Sequence, residues 1–218
     1  MRTDNDIQRD VLEELRWDPQ VEPKDVGVEV DNGIVTLTGT VESFAMRWAA
    51  ERAAHRVLGV KAVANDIKVK LPFEKERDDT DIARAAVSAL EWDTEVPHER
   101  IKVTVSNGVV KLEGDVDWRF QKDAAERDVR SLVGVKGVTN NIVVAAHGVS
   151  PEKVKSEIEK ALLRSAELDA ERIEVRAVDG KVILSGSVRS WVEREEAEDA
   201  AWATEGVSDV ENHIEVTP

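Results

Sequence analysis

Residues 30–41 read Val-Asp-Asn-Gly-Ile-Val-Thr-Leu-Thr-Gly-Thr-Val, and the same pattern returns at residues 105–116 and 177–188. In each copy, Asn-Gly or Asp-Gly stands between two short runs in which apolar side chains alternate with polar ones. Both central residues of a type I′ turn need a positive φ, which Gly, Asn and Asp tolerate. The dipeptide therefore predicts a two-residue β-hairpin, and three hairpins predict three copies of one domain.

A helical pattern precedes each hairpin and a second one follows it. In the first copy, Ile7, Val11 and Leu15 recur at helical spacing, and a second helix is predicted over residues 43–58. A third strand follows at residues 67–70. We therefore predict an α+β fold of three tandem αββαβ two-layer domains, each a small three-stranded mixed sheet with two helices on one face.

The glycines of the repeat mark its turns and predict the domain limits. One glycine makes the hairpin turn, the next ends the outgoing strand, and a third follows the second helix as its C-terminal cap. These turn and cap residues are Gly33, Gly39, Gly59, Gly108, Gly114, Gly134, Gly180, Gly186 and Gly206. With the linkers between copies, they predict domains at residues 1–72, 78–146 and 149–218.

Composition restricts the classes of partner and the compartment. The chain has 45 acidic and 30 basic residues, a formal net charge of −15, and no cysteine. Such an excess of negative charge repels a polyphosphate backbone, so we expect no nucleic-acid partner. No apolar run reaches the roughly 20 residues of a transmembrane helix, and the first residues lack a signal-peptide pattern. We expect a cytoplasmic protein, or a periplasmic one if a leader was removed.

The sequence also resembles a known family. Residues 91–93 (Glu-Trp-Asp), residues 101–116 and residues 134–142 (Gly-Val-Lys-Gly-Val-Thr-Asn-Asn-Ile) resemble the BON domain, and the other two copies match at corresponding positions. The resemblance implies a non-enzymatic module found mostly in bacterial envelope and osmotic-stress proteins, with roles in binding phospholipid or holding envelope structures together.

From this resemblance we expect a stress-linked binding or scaffold protein that contacts a phospholipid surface or an envelope-associated protein. A cytosolic branch of the family senses potassium, so a monovalent-cation sensor is one alternative. A holdase-like protein that protects others during stress is another.

No residue pattern predicts catalysis, a cofactor or a metal site. The glycines flank strands and do not have the spacing of a phosphate-binding loop. No Ser or Thr stands in a nucleophile-elbow context with a matching His. The histidines are scattered along the chain, which predicts surface roles for all four of them and no metal site. They are His55, His98, His147 and His213.

The tryptophans carry the candidate contact surface. Trp48 corresponds to Asp123 and Glu195 in the other copies, which predicts that its position faces water. An exposed aromatic ring among arginines is typical of a helix face that binds a membrane or a protein, although Trp48 packing against the second domain is an alternative. Trp17 and Trp92, at the ends of the first helices, are expected to cover the edge of the core. The predicted contact residues are Phe44, Met46, Arg47, Trp48 and Arg52, with Trp118 and Phe120 as a second patch.

Overall fold

The computed structural model describes residues 2–145, 148–165 and 170–217, and these repeat the order helix, strand, strand, helix, strand three times. The predicted domain limits at residues 1, 146 and 218, and His147, lie outside the described residues. The first domain contains α1 (Asp4–Trp17), β1 (Val26–Asp31), β2 (Ile34–Val41), α2 (Phe44–His55), β3 (Ala62–Asn65) and β4 (Lys68–Val69). The second contains α3 (Asp79–Trp92), β5 (Ile101–Ser106), β6 (Val109–Val116), α4 (Arg119–Arg130) and β7 (Gly137–Val144). The third contains α5 (Pro151–Arg164), β8 (Ile173–Val178), β9 (Lys181–Val188), α6 (Trp191–Trp202) and β10 (Asp209–Val216).

Each domain has the same mixed sheet. The two hairpin strands pair antiparallel, and the second hairpin strand pairs parallel with the strand that follows the second helix. In the first domain this last strand is divided into β3 and β4, which both pair with β2. Parallel neighbours need a crossover connection, which the second helix provides. The predicted α+β fold of three tandem αββαβ domains is confirmed.

Each domain also has a hydrophobic core of its own. In the second domain, α3 contributes Ile82 and Leu90, whereas α4 contributes Ala124, Ala125 and Val129. The small side chains let the second helix approach the sheet closely. A domain of this size buries only about 60% of the surface that its unfolded chain exposes, so it gains from contacts with its neighbours.

The backbone of the hairpin turns confirms the type I′ prediction. Both central residues have positive φ in every copy: 52° and 80° in the first, 53° and 79° in the second, and 47° and 82° in the third. In two domains the first residue of the first helix also holds the turn. The Asp4 carboxylate accepts hydrogen bonds from the backbone N–H groups of Asn32 and Gly33, both at 2.9 Å. Asp79 binds the second hairpin in the same way at 2.8 Å, and Pro151 stands at this position in the third domain.

Two of the glycine roles predicted from the sequence are wrong. Gly39, Gly114 and Gly186 do not end the second strand, because each lies inside it with two strand residues still to follow. They face the start of the neighbouring strand, where a backbone carbonyl fills the space of a side chain. The predicted cap glycines also come later than the helix ends. The α2 helix ends at His55, and Gly59 lies in a separate turn that the Val60 N–H closes by donating to the Val57 carbonyl.

Replacing Gly114 by alanine is expected to destabilise the second domain by about 3 kcal/mol or more. The added Cβ would overlap the carbonyl oxygen of Arg100, and the φ of 143° is unfavourable for any residue with a side chain. Urea denaturation measures the change. Gly148→Ala is the matched control, because a Cβ at Gly148 meets nothing within 4 Å, and its free energy of unfolding should stay within about 0.5 kcal/mol of wild type. Equal stability of the two variants would contradict this account of Gly114.

Candidate functional site at the junction of the second helices

The second helices of the three domains, α2, α4 and α6, meet at one junction. Each turns an alanine-rich side toward its own sheet, so its larger side chains lie on the opposite side. Side chains from all three helices line a single cleft there. The junction is therefore the place in the fold where residues of every domain come together.

Two positions on each second helix take part in contacts between domains. The first position lies at or next to the start of the helix, and the second lies eleven residues later, at the end. The first position holds Phe44, Arg119 and Trp191, and the second holds His55, Arg130 and Trp202.

In each contact, the residue at the first position of one domain packs against a neighbouring domain. The Trp191 ring stacks on the His55 ring with 4.1 Å between centroids and an interplanar angle of 27°. The Arg119 guanidinium lies over the Trp202 ring, 4.9 Å from its centroid. Phe44 packs against the core of the second domain. The third domain thus contacts the first, the second contacts the third, and the first contacts the second, so the three domains close into a ring.

The cleft inside this ring has a volume of about 890 Å³, and Trp48 forms part of its wall. The guanidinium carbon of Arg130 lies 3.4 Å from the centroid of the Trp48 ring, and that of Arg52 lies 4.4 Å from it. A guanidinium over an indole ring is attracted by the negative face of the ring. Trp48 is half-buried in this arrangement. Its contact with Arg130 joins the first domain to the second within one molecule.

The other cleft arginines are largely neutralised by carboxylates of their own domain. The pairs are Arg56 with Glu14 and Asp18, Arg119 with Asp123, and Arg127 with Asp93 and Glu95, at nitrogen–oxygen distances of 2.7 to 3.2 Å. The Arg194 guanidinium donates to backbone carbonyls of β10. Within the part of the chain that the structure describes, Arg52 and Arg130 form no such pair. The two cleft arginines without a salt bridge in the described ranges therefore both lie on Trp48.

Burial changes the pKa of two further cleft groups. Burial lowers the pKa of His55 below its ordinary 6.5; Glu51 opposes this change, and Arg194 adds to it. The neutral ring is thus favoured where His55 meets Trp191. On α6, burial raises the pKa of Asp199, and the nearby carboxylates of Glu198, Asp123 and Glu195 raise it further.

An asparagine of the last strand holds each second helix in place. The Asn65 side-chain amide donates to the Arg47 carbonyl at 3.3 Å and to the Glu51 carboxylate at 2.8 Å, while its oxygen accepts from the Ile67 N–H at 3.2 Å. Asn140 makes the same three bonds in the second domain and Asn212 in the third. The glutamate that each asparagine holds also lines the cleft.

Two classes of site find no support in the described ranges 2–145, 148–165 and 170–217. No three side chains of the His, Asp and Glu types come together there in a way that would hold a metal ion. None of the helices in these ranges has both the length and the apolar character that crossing a bilayer requires.

A family model for the BON domain matches residues 3–70, 78–146 and 151–218. The matches account for nearly the whole chain, and each contains the complete αββαβ unit described above. The chain belongs to the BON domain family. The resemblance of the hairpin and Gly-Val-Lys-Gly-Val-Thr-Asn stretches to that family is therefore confirmed in all three copies.

This BON chain is similar to an osmotic-stress protein and, more distantly, to a secretion-system protein. Osmotically-inducible protein Y of Escherichia coli (strain K12) is 34% identical over 126 residues, which cover 56% of this chain and 63% of that protein. The chain thus spans less than two thirds of the length of this relative. Two structures of CdsD, a structural protein of the type III secretion system of Chlamydia trachomatis, are 14% and 15% identical with TM-scores of 0.28. They cover 100% and 98% of this chain and 100% and 93% of their own, but at such TM-scores the likeness carries no argument.

The BON domains do not present the first predicted contact patch as one surface. Trp48 and Arg52 lie together in the cleft wall, whereas Phe44 is turned toward the second domain. Met46 packs against the core of the first domain. Arg47 donates to a backbone carbonyl of β3. In the second patch, Trp118 is half-buried beside the start of α4, and the neighbouring Phe120 is 53% exposed.

Sequence reasoning missed the residues that join the BON domains. His55 was expected at the surface without a role, but it stacks on Trp191. The sequence does contain an indication of these contacts. His55, Arg130 and Trp202 occupy equivalent positions and all have a large side chain with a planar group, although their helices also contain several alanines. The expectation for Trp17 and Trp92 was also wrong. They are 82% and 85% exposed and do not cover a core edge.

The contact between the first and third BON domains is expected to weaken as the pH falls below 6.5. The pKa of His55 is lower in the folded protein than in the unfolded chain. The contribution of the neutral ring to the stability of the fold is therefore present above pH 6.5 and is lost as the pH falls through the folded pKa. The groups that face it are Glu51 on its own helix, and Arg194 and Trp191 on α6. When the pH is lowered from 7.5 to 5, the midpoint of thermal unfolding should fall a few degrees more for wild type than for His55→Phe.

The control for this comparison is His213→Phe, because His213 is exposed on β10 and contacts Glu211 there. Its unfolding midpoint should follow the wild-type pH dependence. If His55→Phe and wild type respond equally to acid, His55 does not couple the first and third domains to pH.

Proposed function

We propose that this protein is a non-enzymatic, stress-linked binding or scaffold protein that contacts a phospholipid surface or an envelope-associated protein. Support for the stress role comes from the similarity to osmotically-inducible protein Y and from the BON family of all three domains. No structural observation within the described residues favours the potassium-sensor or holdase alternatives over this proposal, and the cytoplasmic location stays a prediction.

The observation that carries the proposal is the exposure of Trp17 and Trp92. They occupy the same position in the first and second domains, at the end of the first helix, and are 82% and 85% exposed. A tryptophan buries a large apolar area when it is covered, so leaving two of them in water is costly without a partner. Trp rings are enriched where protein meets lipid headgroups and at the centres of protein interfaces.

Charge restricts the kind of surface that these rings meet. The chain carries a net charge of −15, and Trp92 stands between Glu91 and Asp93. Anionic lipid would repel this surface at low salt. We therefore propose neutral phospholipid or a protein without strong negative charge as the target. Phe120 of the second predicted patch, 53% exposed, is a further candidate contact.

Removing both exposed rings in Trp17→Ala/Trp92→Ala is expected to weaken binding to neutral phosphatidylcholine vesicles by a factor of ten or more. Burying an aromatic ring contributes about 1.5–3 kcal/mol, and about 1.4 kcal/mol corresponds to a factor of ten. Vesicle co-sedimentation measures the partition coefficient. The double variant should fold like wild type, because neither ring belongs to a core.

Phe73→Ala serves as the matched control, since Phe73 is 89% exposed but lies in the linker between the first two domains. It should bind vesicles as wild type does. If wild type shows no partition into neutral or anionic vesicles, the lipid target is excluded and the protein target remains. If the double variant binds vesicles as tightly as wild type, the two tryptophans are not the contact.

A further inference from the structure

Two positive side chains share one aromatic ring at the seam between the first and second domains. Arg52 reaches the Trp48 ring from its own helix, one turn further on, and Arg130 reaches it from α4 of the next domain. Burial lowers the pKa of the Arg130 guanidinium, Glu126 opposes this, and the charges of Arg52 and Arg127 add to it. The two guanidinium groups thus repel each other while both stay beside the ring.

Within the described ranges, neither guanidinium has a hydrogen-bond acceptor. The α2 helix carries one carboxylate, Glu51, which the Asn65 amide binds at 2.8 Å. The α4 helix carries three: the Asn140 amide binds Glu126 at 3.2 Å, and Asp123 and Asp128 pair with Arg119 and Arg127. Since a guanidinium presents five N–H donors in a fixed fork, both groups have donors available for an acceptor on a bound molecule.

The remainder of the cleft indicates what kind of acceptor fits. A cavity of about 890 Å³ has room for a small organic molecule beside the two arginines. The α6 wall of the same cleft carries Glu195, Glu198 and Asp199. These carboxylates repel a second negative group on the same ligand. A ligand with one compact anionic group therefore fits better than a polyanion.

We propose that Arg52, Arg130 and Trp48 form a binding site for the phosphate group of a small solute in the cleft between the three domains. A phosphate offers enough oxygens to accept from two guanidinium forks at once, and charge-assisted bonds of this kind are among the strongest in proteins. Its charge also removes the repulsion between the two arginines. The site bridges the first and second domains, so occupancy stabilises the closed ring.

Isothermal titration calorimetry with inorganic phosphate, at constant ionic strength, tests this site on the full chain. Wild type should bind one phosphate saturably, and Arg52→Gln and Arg130→Gln should each bind it about tenfold more weakly or worse, because each loses charge-assisted bonds. Arg84→Gln is the matched control: Arg84 is exposed on α3, where it pairs with Asp81, and it should bind as wild type does.

A loss of phosphate binding in these variants can be distinguished from a loss of folding. Arg52 is exposed, so Arg52→Gln should keep the wild-type circular dichroism. Arg130→Lys keeps the charge without the fork and should bind more weakly than wild type. The Trp17→Ala/Trp92→Ala variant should bind phosphate normally, since this inference does not depend on the proposed surface contact.

Several results would overturn the proposal. They are no saturable heat with wild type, an affinity in both glutamine variants equal to that of wild type, or the same heats from chloride at matched ionic strength. Binding of anionic vesicles through Arg52 and Arg130 without any binding of free phosphate would also overturn it, and would assign the arginines to a lipid headgroup.

Discussion

One asparagine in each domain fixes the second helix to the last strand, and the arrangement of the three domains depends on this constraint. Its amide N–H group donates to a helix carbonyl and to a glutamate on the helix surface. Its amide oxygen accepts a hydrogen bond from the backbone N–H two residues further along the chain. A helix that packs through alanines has a smooth contact surface and little to prevent rotation about its axis. The asparagine supplies that restraint with three directional bonds. The outward face of the helix is then presented at one fixed angle.

A fixed outward face makes the ring possible. The side chains at the two contact positions are flat groups: a phenyl or indole ring, an imidazole or a guanidinium. Flat groups stack with one another in several combinations, so His55 on Trp191 and Arg119 on Trp202 fulfil the same structural role with different chemistry. Trp202 packs against the cores of both the second and the third domain, which extends one hydrophobic core toward the next. Small domains that are marginal alone gain stability in this way.

The sequence predicts those features that depend on residues close together in one copy of the repeat. Positive φ at Asn32 and Gly33 follows from the turn itself, and the buried face of α1 follows from the spacing of Ile7, Val11 and Leu15. It decides less where the partner comes from another domain. For Trp48 it left open a ring that faces water, because its counterparts are Asp123 and Glu195, and a ring that packs against the second domain. The contact with Arg130 confirms the second alternative. Trp17 was expected to cover the edge of the core from its position at the end of the first helix, but it is 82% exposed. Which helix face meets which domain depends on linker path and packing, and neither appears in a periodic pattern.

The three copies keep the ring but differ inside it. Equivalent positions one turn into the second helix hold Trp48, Asp123 and Glu195, and the next turn holds Arg52, Arg127 and Asp199. Both signs of charge line the cleft on every helix, because α2 and α4 also carry Glu51, Asp123 and Glu126 there and α6 also carries Arg194. The asymmetry lies in the pairing: among the described cleft residues, the two arginines whose side chains form no salt bridge and no hydrogen bond, Arg52 and Arg130, both lie on Trp48 at the seam between the first two domains. A cleft with two such guanidinium groups at one end distinguishes the two ends of a small molecule, which three identical copies around an axis would not do. Its asymmetry is thus an argument that the cleft recognises a ligand as well as joining the domains.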